Sequence, residues 1–88
     1  MNIQLCYLVS KIVNDGKELK EALKKFSTPE LALYFAKGEF NKEYRKYKES
    51  DEYILNKDDF LTFSAESIEL GTIETIHYLI EVVVKELN

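Results

Sequence analysis

The segment Ser27-Thr28-Pro29-Glu30 constrains the fold more than any other part of the chain. Ser27 with Glu30 three residues on forms a capping box, and the only proline falls in the first turn, where its missing N–H costs nothing. Leu31, Ala32, Tyr34, Phe35 and Ala36 continue as a helix. Gly38 is expected to end or bend it. Phe40, Tyr44 and Tyr47 then recur at four and three residues and carry a second helical stretch to about Glu49.

Strand-forming sequence flanks this helical centre. Residues 2–13 alternate, with Ile3, Leu5, Tyr7 and Val9 on one side and Gln4, Cys6, Leu8, Ser10 and Ile12 on the other. Both sides are largely apolar, as for a strand inside a sheet. Asn14-Asp15-Gly16 supplies turn chemistry. Residues 17–26 carry two patterns. Leu19, Ala22, Leu23 and Phe26 follow a helical stripe, while the preceding turn also suits a return strand; periodicity favours the helix. Residues 53–56 are short and apolar, and Asn56-Lys57-Asp58-Asp59 is a polar turn. The last block pits a heptad spacing (Ile73, Ile76, Ile80, Val83, Leu87) against alternation of Ile76, Tyr78, Ile80, Val82 and Val84. Its β-branched content and Gly71 favour an antiparallel hairpin between residues 60–69 and 73–87.

The expected architecture is one α+β domain over residues 1–88. It has an antiparallel sheet, made of the N-terminal strand and a C-terminal hairpin, with one or two central helices packed on one face. The lone Cys6 cannot form an internal disulfide, and the N-terminus has no secretory signal pattern. No run approaches a membrane span. A soluble cytoplasmic protein is expected, in the host cytoplasm if the chain is viral.

Chemistry-bearing patterns are few. His77 is the only histidine, and nothing in the sequence places Cys6 or a serine beside it as a nucleophile. One Cys and one His cannot fill a structural zinc site without carboxylates. Asp51, Glu52, Asp58 and Asp59 do not follow the calcium-loop spacing, and Asn56 stands where that loop needs glycine. Glycines 16, 38 and 71 form no phosphate cradle. No enzyme, no cofactor and no metal is expected.

Charge is split by position. Residues 1–50 hold ten Lys/Arg against seven Asp/Glu, so 10 − 7 gives +3; residues 51–88 hold two against nine, so 2 − 9 gives −7. Two surfaces follow. One is basic and aromatic: Lys42, Arg45 and Lys46 share a helix face, with Tyr44 near enough to stack on a base. The overall −4 argues against direct nucleic-acid binding through it. The other is acidic, with Asp51, Glu52, Asp58, Asp59, Glu66, Glu69 and Glu74 as a field for a basic groove, and Tyr53 and Phe60 as apolar anchors. Carboxylates spaced along an edge can stand in for the phosphates of a duplex.

In size and composition the whole chain resembles the stand-alone inhibitors encoded by phages and mobile elements, anti-CRISPR proteins among them. The likeness is of the chain as a whole and not of a motif. The first expectation is therefore a non-enzymatic protein whose acidic C-terminal half occupies a basic, nucleic-acid-binding site on a larger protein. The alternatives are a nucleic-acid-binding or regulatory module using residues 37–48, and a homo-oligomeric subunit such as a homodimer.

Overall fold

A computed structural model of the chain describes residues 2–87. Five strands and one helix follow in the order β1 (Asn2–Asn14), β2 (Glu18–Phe26), α1 (Pro29–Glu49), β3 (Tyr53–Lys57), β4 (Thr62–Ser67) and β5 (Ile73–Leu87). The strands form one sheet in the order β2-β1-β5-β4-β3, with every neighbouring pair antiparallel. The α+β class and the C-terminal hairpin agree with the sequence reading. The sheet is larger than expected, because β2 and β3 join it.

Residues 17–26 are the main correction: they are strand and not helix. Gly16 takes φ +108°, Asn14 Oδ1 accepts from the Gly16 N–H at 3.0 Å, and the chain turns straight back along β1. The helical stripe comes from a bulge. The β1–β2 register slips between Val9 and Ser10, which leaves Leu23 as an extra residue in β2. One inserted residue shifts the strand's phase, so Leu23 and Phe26, three apart, both pack on the core.

Helix α1 is a single unbroken element, so Gly38 does not end it. Its N-cap is Thr28, one residue later than expected, with Thr28 Oγ1 accepting from the Leu31 N–H at 3.2 Å. Ala32, Ala36 and Phe40 lie buried on one side of it, against Val9, Phe63, Ala65, Ile76 and Tyr78 of the sheet. The alanines let the helix come close, and the aromatic rings fill the remaining space. Phe40 meets Phe63 edge-on at 5.3 Å, and Tyr47 meets Tyr53 edge-on at 4.8 Å.

Strand β1 pairs along its whole length with residues 75–87 of β5. Their neighbours do not follow them: β2 stops opposite Tyr7, and β4 reaches only to His77. Beyond those points the β1–β5 ladder runs on as a two-stranded ribbon, which gives the molecule a long axis of 56 Å.

Candidate protein-binding surface

Two turns meet at one end of the sheet. The first leads from α1 into β3. Ser50 caps the helix, its N–H donating to the Tyr47 carbonyl at 3.3 Å, and Asp51 follows at φ +58°. The second joins β4 to β5. There the Gly71 N–H donates to the Ser67 carbonyl at 2.8 Å, the Ser67 N–H donates to the Thr72 carbonyl at 2.9 Å, and Gly71 sits at φ +70°. The Ile68 N–H donates to the Glu52 carbonyl at 3.0 Å and ties the turns together. Between them lies a shallow hollow of about 410 Å³, lined by Asp51, Glu52, Tyr53, Ser67, Ile68, Glu69 and Leu70.

This end is apolar as well as acidic. Leu70 is 74% exposed, and Ile54, Ile68 and Ile73 are each more than half exposed. Ile54, Glu66 and Ile73 form one cross-strand row on the sheet face away from the helix. Around these four apolar side chains stand Asp51, Glu52, Glu66 and Glu69. Among the described residues the ion pairs are Lys11–Glu43, Lys20–Glu81 and Lys42–Glu39, and none of the four acids takes part. Lys46 borders the neighbouring hollow with Glu43 and Glu52. Glu74 lies at the same end but on the helix side, where it accepts from the Tyr47 hydroxyl. Burial first, then that hydrogen bond, holds the Tyr47 phenol above its ordinary range.

The rest of the expected acidic set lies elsewhere. Asp58, Asp59 and Phe60 form the β3–β4 turn, a strand length away, about 15 Å. The Asp58 and Asp59 N–H groups donate to the Thr62 carbonyl, and Asp59 Oδ1 accepts from the Leu61 N–H at 2.7 Å. Lysines offset the charge here. Lys37 Nζ sits 4.9 Å from the centre of the Phe60 ring, and Lys37 and Lys57 share a hollow of about 480 Å³ with Asp59 and Phe60. The carboxylates that read as one set along the chain thus fall into two groups. Asp51, Glu52, Tyr53, Glu66 and Glu69 come together, and Asp58, Asp59 and Phe60 stand apart.

On the helix, Lys42, Arg45 and Lys46 are exposed, with Lys42 Nζ 3.6 Å from Glu39. Tyr44 points inward. Its ring stacks on Phe40 at 5.9 Å and meets Phe63 edge-on at 5.3 Å, so it is not placed to stack on a base beside those cations. His77 Nδ1 lies 2.6 Å from Thr62 Oγ1, its cross-strand partner on the far side of the sheet. Cys6 pairs with Val83, six residues along β5 from His77, or about 20 Å. Among the described residues no group of three or more His, Cys, Asp and Glu could hold a metal ion, and no helix is long and apolar enough to cross a membrane.

Reading the sequence alone missed Ile54, Ile68, Leu70 and Ile73. One signal was available: Ile68-Glu69-Leu70-Gly71-Thr72-Ile73 sets apolar residues around a turn glycine, where polar ones are usual. Comparison of the chain with protein-family models, with curated proteins and with solved structures finds no match.

Proposed function

We propose that this chain is a non-enzymatic, cytoplasmic binding protein whose acidic end occupies a basic, nucleic-acid-binding site on a larger protein, as a phage or mobile-element inhibitor would. The observation that carries this reading is the union of uncompensated charge with apolar anchors at one end: Asp51, Glu52, Glu66 and Glu69 around Ile54, Ile68, Leu70 and Ile73. Carboxylates alone would give a salt-sensitive encounter and little residence time. Exposed aliphatic side chains beside them supply the desolvated centre that a lasting interface needs. The two turns are tied by the backbone hydrogen bond from Ile68 to Glu52, which lowers the ordering cost of binding. Asp58, Asp59, Phe60 and Glu74 have a lesser part here, at the rim or outside it.

The test is capture of partners from the native host on the immobilised chain, followed by competition with short duplex DNA and RNA. The expected result is a partner with a basic groove that nucleic acid displaces, and that Glu52→Lys/Glu69→Lys no longer retains. Full retention by that variant, or a partner indifferent to nucleic acid, would overturn the proposal. Direct binding of DNA or RNA by the free chain, abolished by Lys42/Arg45/Lys46→Ala, would transfer the function to the helix face.

A further inference from the structure

The ribbon leaves one long strand edge open. β4 pairs with β5 only across residues 73–77, and the Tyr78 N–H donates to the Leu61 carbonyl at 2.9 Å. That bond fixes which backbone groups face outward. Even-numbered residues of β5 point N–H and C=O toward the β4 side, so Ile80, Val82, Val84 and Glu86 present theirs beyond the end of β4. Natural sheet edges are guarded by lysines, bulges, prolines or shortness. β2 is guarded by Lys20, Lys24, Lys25 and its bulge, and β3 is only five residues long. This stretch of β5 has no proline and no break in register with β1, its one lysine, Lys85, is balanced by Glu81, and Val82 and Val84 are 59% and 61% exposed. Among the described residues the open stretch of β1 is shorter, with outward groups at Ile3 and Leu5.

We propose that the open edge of β5 pairs antiparallel with the same edge of a second copy of this chain, in a register centred on Val83. Charge selects that register. Glu81 and Lys85 lie on the same face, two residues either side of Val83, so a two-fold axis there sets each Glu81 opposite the other copy's Lys85. These are non-hydrogen-bonded positions, where side chains approach most closely. The same register matches Val82 with Val84 of the other copy. It thereby extends the Leu5–Val84 and Tyr7–Val82 rows of each ribbon into apolar rows four strands wide. A shift of two residues either way sets Glu81 or Lys85 against Val83 and loses both ion pairs. Glu81 already accepts from Lys20 Nζ at 2.6 Å, yet its side chain remains 41% exposed and able to take a second cation. The acidic end lies at the opposite extremity of β5, so the pairing leaves it open in both copies and is independent of the function proposed for it.

Sedimentation equilibrium on the full chain tests this. The expected result is a reversible dimer that Glu81→Lys and Lys85→Glu each weaken about tenfold, by setting like charges opposite one another. An equimolar mixture of those two variants should recover wild-type association, because each copy then supplies what the other lacks. Val84→Pro removes an outward N–H that β1 does not use and should also abolish pairing, with circular dichroism reporting whether it still folds. A chain that stays monomeric at the highest attainable concentration would overturn the proposal. So would a dimer indifferent to both charge variants, or a mixture no tighter than its components.

Discussion

Asp51-Glu52-Tyr53 and Asp58-Asp59-Phe60 repeat one local pattern, two acids followed by an aromatic, at opposite ends of β3. At the first, the aromatic turns inward against Tyr47 and the acids are left to solvent. At the second, the aromatic stays exposed beneath Lys37, and an acid is used to hold the turn. Neighbours decide the difference. The first triplet abuts the β4–β5 turn, which brings Glu66, Glu69 and three exposed aliphatic residues, Ile68, Leu70 and Ile73, to stand beside Ile54. The second abuts the middle of α1, which brings lysine. An acidic stretch becomes a binding surface through what the topology sets beside it, more than through its own charge.

The aromatics give the largest expected contrast. Tyr53→Ala should cost roughly 2 kcal/mol, since a partly buried ring packed on Tyr47 is lost, whereas Phe60→Ala should change stability by less than about 0.5 kcal/mol. Urea denaturation of the two variants measures both, and equal costs would erase the distinction. Alkali should sharpen it further. Burial and Glu74 raise the Tyr47 phenol, and burial, then Glu43 and Glu39, raise that of Tyr78. Because both are raised in the folded state, the unfolded chain ionises first. Their stabilisation is full below about pH 10 and is lost as pH climbs beyond it. Tyr47→Phe should flatten that alkaline limb and Phe60→Ala should not, as thermal melts across pH will report. The acids give the smallest individual effects, of opposite sign at the two ends. Asp59→Ala should destabilise by about 1 kcal/mol through loss of its bond to the Leu61 N–H. Asp51→Gly should stabilise by about 0.5–1 kcal/mol through relief of its left-handed backbone.

Much of this fold is legible where chemistry is local. Alternation exposes β1, Pro29 places the helix start within a residue, and Gly71 with β-branched neighbours separates β4 from β5. The strand β2 is obscured by its bulge, since a single inserted residue makes a strand imitate helical spacing around Leu23 and Phe26. Gly38 misleads for another reason: Ala36 and Phe40, buried on either side of it, anchor an unbroken helix to the sheet. Ser10 shows a limit of another kind. It is fully buried with its Oγ unpartnered on the face away from the helix, and no pattern in the sequence marks it. For the candidate surface, the acidic residues could be named from the chain, but their partition could not. It depends on β3 separating two turns and on a hydrogen bond from Ile68 to Glu52, sixteen residues apart (68 − 52).

Calorimetric titration of the captured partner with two matched variants, Leu70→Ser and Phe60→Ser, weighs the two ends against each other most directly. The account predicts that Leu70→Ser weakens binding at least about tenfold while Phe60→Ser leaves it unchanged. Undiminished affinity for Leu70→Ser, with the loss appearing in Phe60→Ser instead, would contradict it.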